Sequence, residues 1–331
     1  NADLLVAEFP GQDRTKFITL VCHVDTVFEK NSGFKGFNFD AEKGVASGPG
    51  IIDNKGGVVI GIEACRQLIA NNDTLPYSLR LVCSPNEETG SQGFHDKFRE
   101  LSRSSVLVIG LEPALEDGSI ITRRKGNTWY NIQVLGRKSH SGRNPHKGLN
   151  AAHEWTLMSK ELIDINNLSK GVTLNINSIQ AGLDKHNITC HKLEAKMDLR
   201  FEDHHNAEIA RSKISSILLQ SRIENSLGEK CRTEIFIADD CPPLESNSET
   251  EKFTPSVLDI LEKFEGERVD SVLAGGASDC NFFSRPGLVI VDGLGARGFG
   301  MHHHSESIFV DCLEKRSSAI AEIIKTFSWQ N

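Results

Sequence analysis

The sequence predicts an α/β fold into which a smaller α+β unit is inserted, and three observations carry that prediction. In the first third, short uninterrupted apolar runs alternate with helical patterns. In the middle, apolar and polar residues alternate in period two. Past about Asp240 the first texture returns. Uninterrupted apolar strands need cover on both faces, so they belong to a sheet flanked by helices. Alternating strands need cover on one face only. The simplest organisation is one α/β domain built from residues 1–124 and 240–331, interrupted by a second domain, residues 125–239.

Phe17–Cys22 reads as a buried strand, and Gly57–Leu68 as a helix. Ser78–Cys83 and Ser105–Leu111 read as two more buried strands. In the middle, Asn127–Leu135 and Leu193–Phe201 alternate; Leu193, Ala195, Met197, Leu199 and Phe201 share one face. Helices are expected over about Asn150–Ile165 and Asn206–Ile223, covering that face. The closing segment supplies a helix near Glu251–Phe264, a buried strand at Leu288–Val291 and a last helix near Leu313–Phe327. No internal repeat or low-complexity tract is present.

The 331 residues, 38% of them hydrophobic, suffice for a sizeable core and two domains. Lysine and arginine number 37 against 45 acidic residues, a formal net charge of −8 with no long basic run, so no nucleic-acid partner is expected. The apolar runs are too short to span a bilayer, and no membrane association is expected. The first residues carry no signal-peptide pattern. The eight cysteines are scattered, without a CxxC pair. A disulfide scaffold is therefore not expected, and a reducing, cytoplasmic location is. Cys22 and Cys83 read as small core residues.

Acidic and histidine residues gather where strands end. His23-Val24-Asp25 follows Phe17–Cys22 directly. Residues two apart in such a turn can face one side, so an imidazole can bind a metal while the carboxylate fixes its tautomer. Alone, this pair more often reads as ordinary polar hydrogen bonding. Gly48-Pro49-Gly50 through Asp53 to Gly57 sets one carboxylate among glycines before a helix, which by itself reads as a helix cap. Neither phosphate-loop spacing is present. Glu87-Glu88 follows the strand Ser78–Cys83, and Glu112 follows the strand ending at Leu111. One carboxylate of the adjacent pair suits a metal and its neighbour suits proton transfer; the alternative is a solvated acidic loop. Open α/β sheets carry their sites at the carboxyl ends of strands, and coincidence explains the whole set poorly. A final cluster, His302-His303-His304, ends a glycine-rich loop after Leu288–Val291 and supplies at least one further candidate ligand.

Jointly these motifs resemble the di-zinc metallopeptidases that include glutamate carboxypeptidase, aminoacylase and succinyl-diaminopimelate desuccinylase, closest to the glutamate carboxypeptidase type. The resemblance covers nearly the whole chain. It rests on Cys22 to Val27, Gly48 to Gly57, Glu87-Glu88-Thr89-Gly90-Ser91, Leu111-Glu112-Pro113, Lys138-Ser139-His140-Ser141-Gly142, Gly275-Gly276-Ala277-Ser278-Asp279 and Gly298 to His302. It implies a zinc-peptidase-like α/β catalytic domain, a mixed sheet covered by helices, with an inserted α+β sandwich that serves as lid and dimerisation domain. Two divalent ions per subunit are implied, zinc by preference, although cobalt or manganese suits the same donors. Asp53 would bridge them. His23 and Glu112 would complete one site, Glu88 and His302 the other; His303 and His304 rank second and third at that position. Glu306 and Asp311-Cys312-Leu313 then also fall in register. Glu87 would be general base and acid, Asp25 would orient His23, and Asp53-Asn54 is a candidate non-proline cis peptide.

The resemblance further implies a homodimer in which His140 of the partner subunit stabilises the oxyanion. Asn187 and Arg200 would hold the substrate carboxylate, helped by Gly276 and Ser278; a structural salt bridge is the alternative for Arg200. Cys190 stands where many relatives carry proline, and the chain begins almost at its first core strand, where relatives carry further helices. The function implied is a carboxypeptidase or dipeptidase cleaving an amide next to a C-terminal carboxylate, on a small peptide or an N-acyl amino acid. A deacylase or desuccinylase would use the same metal site. A catalytically silent binding protein on this scaffold predicts lost ligands or a lost base, and the chain has all five candidate ligands and Glu87.

Overall fold

The computed structural model describes residues 2–30, 33, 34, 36–70, 75–183 and 185–328. The chain falls into two compact units, residues 1–124 with 244–331 and residues 125–243. Both are mixtures of helix and strand, and the whole is an α/β protein with several sheets and six α-helices among the described residues.

The first unit is organised around five strands in the order Leu5–Phe9, Tyr77–Ser84, Asp13–His23, Ser105–Gly110 and Val289–Val291. The first pair runs antiparallel and the others parallel. The three central strands carry the uninterrupted apolar runs, and Ile18, Leu20, Leu79, Leu107 and Ile109 lie fully buried in one core. Helices Gly57–Ala70, Ser248–Glu265 and Asp311–Thr326 add Ile60, Leu68, Val257, Leu261, Ile320 and Ile324 to it. Each such side chain contributes about 1.5–3 kcal/mol by leaving water. The helix His95–Ser102 packs Phe98 against Phe282 and Phe283. Register sets the chemistry: Cys22 pairs with Cys83 and His23 with Ser84, while Val21 pairs with Gly110. The carboxyl ends of three parallel neighbours are therefore level, and the turns carrying His23, Glu87 and Glu112 leave from that common edge. A small antiparallel sheet, Gly298–Phe299, Ser307–Phe309, Val45–Ser47 and Asn38–Asp40, pairs Ser307 with Ser47. It ties the histidine-rich loop to the glycine-rich turn before Asp53.

The second unit is one antiparallel sheet in the order Arg232–Cys241, Gly126–Leu135, Lys192–Phe201, Thr173–Ala181. Helices Ala151–Ile163 and His204–Leu219 cover one face through Trp155, Met158, Leu162, Ile214 and Leu218. Asn150 and Asp203 cap their first turns by accepting backbone N–H groups. The final strand stays paired through Cys241, so the unit runs past Asp240.

Two features depart from the sequence pattern. The helix expected to reach Ile223 stops at Leu219. The buried carboxylate of Glu154 accepts the N–H groups of Arg222 and Ile223 at 2.7 and 2.8 Å, which draws that segment out of the helix. The strands Leu5–Phe9, Thr173–Ala181 and Arg232–Cys241 carry no clear pattern because each lies at a sheet edge and is largely exposed. All eight cysteines are unbridged, and no helix among the described residues is long and apolar enough to cross a membrane.

Candidate metal centre

His23 ends the central strand fully buried, and its ring is held from both sides. Nδ1 faces Asp25 Oδ1 at 3.2 Å, and Nε2 faces Asp53 Oδ1 at 2.9 Å and Glu112 Oε1 at 3.8 Å. Asp53 stands in the irregular turn Ile51–Gly56, and its peptide to Asn54 is cis. Its second oxygen, Oδ2, faces His302 Nε2 at 3.0 Å, and His302 Nε2 lies 3.7 Å from Glu88 Oε2. The Asp53 carboxylate thus lies between two half-sites, each with one imidazole and one further carboxylate. Ligand atoms of His23, Asp53 and Glu88 all fall within 4.8 Å of one another.

The three consecutive histidines part company here. His302 turns onto Asp53. The Nδ1 of His303 lies 2.9 Å from Ser305 Oγ, and His304 packs among Phe28 and Phe34. His302 has a φ of 62° and follows Gly300 at 74°, a left-handed bend that turns the loop back.

Backbone contacts lock these groups. Asp25 Oδ1 accepts the Glu87 N–H at 3.1 Å, and Oδ2 accepts the Glu88 N–H at 3.1 Å. One carboxylate therefore orients His23 and fixes the Glu87–Glu88 turn together. Glu306, fully buried, accepts the N–H groups of Gly50, Ile52 and Asp53 at 3.3, 2.9 and 3.1 Å. Sequence reading placed Glu306 in register but gave it no partner, since its partners lie some 250 residues away in the chain. Asp279, buried and bonded by Ser91 at 2.5 Å, is a further acid that the motif contained without a role.

The electrostatics of the cluster call for cations. Burial, then the neighbouring charges of Glu112 and Asp279, drives the Glu87 carboxyl well above the usual range. Burial, then Asp53, raises Glu88. Burial pushes Glu112 up to about 8 despite His23, with Asp53 and Asp292 adding to the rise. Burial opposes charge on His23 as well, but Glu112, Asp25 and Asp53 outweigh it and hold the imidazole far above the histidine range. Burial likewise works against the Asp53 carboxylate, and the His23 and His302 hydrogen bonds hold it well below. Without cations this crowding of buried acids favours protonated carboxyls, and a divalent ion among them would favour the ionised forms instead.

The donor set fits such ions. Two ligand atoms on one tetrahedral zinc lie roughly 3.3 Å apart, given metal–ligand distances near 2.0–2.1 Å. The observed pairs, 2.9 and 3.8 Å around His23 and 3.0 and 3.7 Å around His302, bracket that value. Glu88 Oε1 is buried without a hydrogen-bond partner, a further acceptor free for a ligand role.

The remaining sequence candidates divide between the units. Gly276 is exposed, and its carbonyl accepts from Arg124 Nη1 at 3.0 Å. Ser278 is buried; its hydroxyl donates to Asp292 at 2.8 Å and its N–H to Asn281 Oδ1 at 3.0 Å, so both donors serve the loop itself. In the second unit His140 and Asn187 are brought together, because Ile188 bridges to His140 and the Ser141 N–H donates to the Asn187 carbonyl. His140 Nδ1 accepts the N–H groups of Gly142 and Arg143, both at 3.2 Å, so in the neutral ring the proton sits on Nε2. Arg200 gives its Nε to both oxygens of Asp198 at 2.9 and 3.0 Å. Cys190 closes the Asn187 turn with its Sγ 3.3 Å from the Lys192 carbonyl.

Comparison with known proteins adds an independent finding. Residues 19–326 match the family model described as Peptidase family M20/M25/M40. Carboxypeptidase G2 of Pseudomonas sp. (strain RS-16) is 23% identical over 326 residues, spanning 97% of this chain and 76% of that enzyme. A succinyl-diaminopimelate desuccinylase of Xanthomonas campestris pv. campestris is 25% identical over 289 residues, spanning 82% of this chain and 72% of the other. Among solved structures, the M20 family metallo-carboxypeptidase Sso-CP2 of Sulfolobus solfataricus aligns with a TM-score of 0.72 at 18% identity, covering 97% of this chain and 87% of that one. At that identity the likeness is one of fold.

Proposed function

The chain belongs to peptidase family M20/M25/M40 and is an enzyme of metallopeptidase type; on that premise we propose that it is a two-metal carboxypeptidase or dipeptidase. Its substrate in this reading is a small peptide or N-acyl amino acid, cleaved at the amide next to a C-terminal carboxylate. The observation that carries the reading is the Asp53 carboxylate, with His23 on one oxygen and His302 on the other.

In this proposal His23, Asp53 and Glu112 hold one ion and His302, Asp53 and Glu88 the other, zinc by preference. The chemistry that two divalent ions would supply there is a water of lowered pKa and a polarised scissile carbonyl. Glu87 takes the proton from the water and passes it to the leaving amine, which requires a carboxyl that can hold a proton near neutrality. The upward push that burial and neighbouring acids exert on Glu87 supports that role. Asp25 keeps the His23 ring turned toward Asp53. The oxyanion is stabilised by His140 of the partner subunit in a homodimer formed through the second unit, a role supported by the free Nε2–H that the Gly142 and Arg143 contacts leave on the ring. In the second unit Asn187 and Arg200 are taken to hold the substrate carboxylate, with the Arg200 Nε already given to Asp198; in the first unit Ser278 keeps the Gly276 loop in shape.

A second reading, a deacylase or desuccinylase, is favoured by the 25% identity to the desuccinylase over most of the chain. The metal machinery is common to both, so only the groups binding the acyl side separate them. The test is a panel of dipeptides, N-acetyl and N-succinyl amino acids, assayed with added zinc or cobalt beside metal analysis of the purified protein. Chelator-sensitive release of C-terminal amino acids supports the carboxypeptidase reading; exclusive cleavage of acyl groups supports the second. Absence of bound metal together with no turnover across the panel sinks both.

A further inference from the structure

Glu306 takes no part in the chemistry proposed above, yet its carboxylate is fully buried and spends both oxygens on main-chain donors. Oε1 accepts the N–H groups of Ile52 and Asp53 at 2.9 and 3.1 Å, and Oε2 accepts that of Gly50 at 3.3 Å. The Glu306 carbonyl also accepts the Gly48 N–H at 3.3 Å. One residue thus holds the whole turn that presents the central carboxylate. Four residues earlier on the same loop, His302 Nε2 lies 3.0 Å from Asp53 Oδ2. Asp53 is gripped at its side chain and at its backbone by a single five-residue loop. The left-handed φ values of Gly300 and His302 let the loop double back far enough to do both. The strand Ser307–Phe309 then anchors the loop by pairing Ser307 with Ser47.

We propose that Glu306 is a positioning residue for the metal centre: it fixes Asp53 between the two ions and keeps the His302 loop in register with it. This rests on the two-metal reading of the site. The chemistry demands glutamate. A glutamine turns one acceptor oxygen into an NH2 donor, which then faces an N–H of the turn. Aspartate is one methylene short of the same donors. The arrangement has a counterpart at the other histidine, where Asp25 grips the N–H groups of Glu87 and Glu88. Each histidine-bearing loop therefore carries a carboxylate that pins the turn bearing an acidic ligand candidate.

The test compares the wild type with Glu306→Gln and Glu306→Ala in zinc titrations against a competing chelator. Thermal unfolding of the chelator-stripped proteins runs beside it, and turnover is measured over a range of free zinc. The wild type should take up two ions. Glu306→Gln should bind at least one of them about 10- to 100-fold more weakly, the usual cost of removing a group that orients ligands, and excess zinc should restore much of its turnover. Loss of stability in the stripped protein with zinc affinities within threefold of the wild type would make Glu306 merely structural and overturn the proposal. Where Glu306→Ala does not fold, the nearly isosteric Glu306→Gln decides alone. A wild type that takes up no ions removes the two-metal reading itself and this inference with it, an outcome distinct from unchanged affinity in the variant.

Discussion

Replacing Asp25 with asparagine should weaken metal binding and turnover together, and the size of the effect follows from its contacts. Asp25 Oδ1 serves His23 Nδ1 and the Glu87 N–H, and Oδ2 serves the Glu88 N–H. Asparagine keeps one acceptor. In its better orientation the carbonyl stays with His23 and Glu87, and the NH2 group meets the Glu88 N–H. That contact loses one hydrogen bond and sets donor against donor, a cost of about 1–3 kcal/mol for a poorly solvated N–H. The penalty falls on the turn that presents Glu88. It is therefore expected as a loss of roughly 5- to 140-fold in zinc affinity, since each 1.4 kcal/mol is tenfold. The flipped orientation costs more, because the NH2 group then opposes both His23 Nδ1–H and the Glu87 N–H and favours the wrong imidazole tautomer. The assay is zinc titration with a competing chelator, followed by kcat/KM at saturating zinc. Affinity and kcat/KM both within twofold of the wild type would refute the idea that one carboxylate organises the histidine and the acidic turn.

Three further outcomes are expected. Glu87→Gln should retain both ions while turnover falls by about two to four orders of magnitude, the usual worth of a general base; near-normal turnover removes Glu87 from that role. In the chelator-stripped protein, folded Glu112 keeps its proton up to about 8 while the unfolded chain loses it near 4.5. The native state then binds more protons in that window, so stability falls as pH rises through it. Glu112→Gln should flatten the fall measured by urea unfolding at several pH values, and an unchanged slope contradicts the assignment. Gly57→Ala, which normally strengthens a helix, should destabilise by about 1–3 kcal/mol. Its Cβ would lie 2.0 Å from Asn54 Oδ1 and 2.1 Å from the Leu111 carbonyl; an unfolding midpoint at or above that of the wild type would show that the turn yields freely.

The legible part of this protein is what neighbouring residues decide among themselves. The runs Phe17–Cys22, Ser78–Cys83 and Ser105–Leu111 announce buried strands because apolar residues dominate both of their faces, and the structure has strands at all three. His23 and Glu112 follow their runs at once and Glu87 comes within four residues of Cys83, so their position at strand ends is a matter of counting. The edge strands Thr173–Ala181 and Arg232–Cys241 left little trace, since an exposed edge places weak demands on side-chain pattern. The early end of helix His204–Leu219 left none, because Glu154, far back in the chain, captures the N–H groups that would have continued it.

From the sequence alone come the apolar periodicities, the residue types able to bind cations, and their order along the chain. These are local properties, governed by solvation and by the geometry of a few adjacent peptides. The resemblance implied His302 ahead of its two neighbours and Asp53 between two sites; the tertiary structure supplied the contacts, with His23 and His302 on different oxygens of Asp53, and it alone decided that Asp25 and Glu306 hold the turns opposite them. Those outcomes depend on which strand ends lie level and on how a left-handed loop folds back. Contacts between residues up to some 250 positions apart fix both, and no local stretch encodes such a distance.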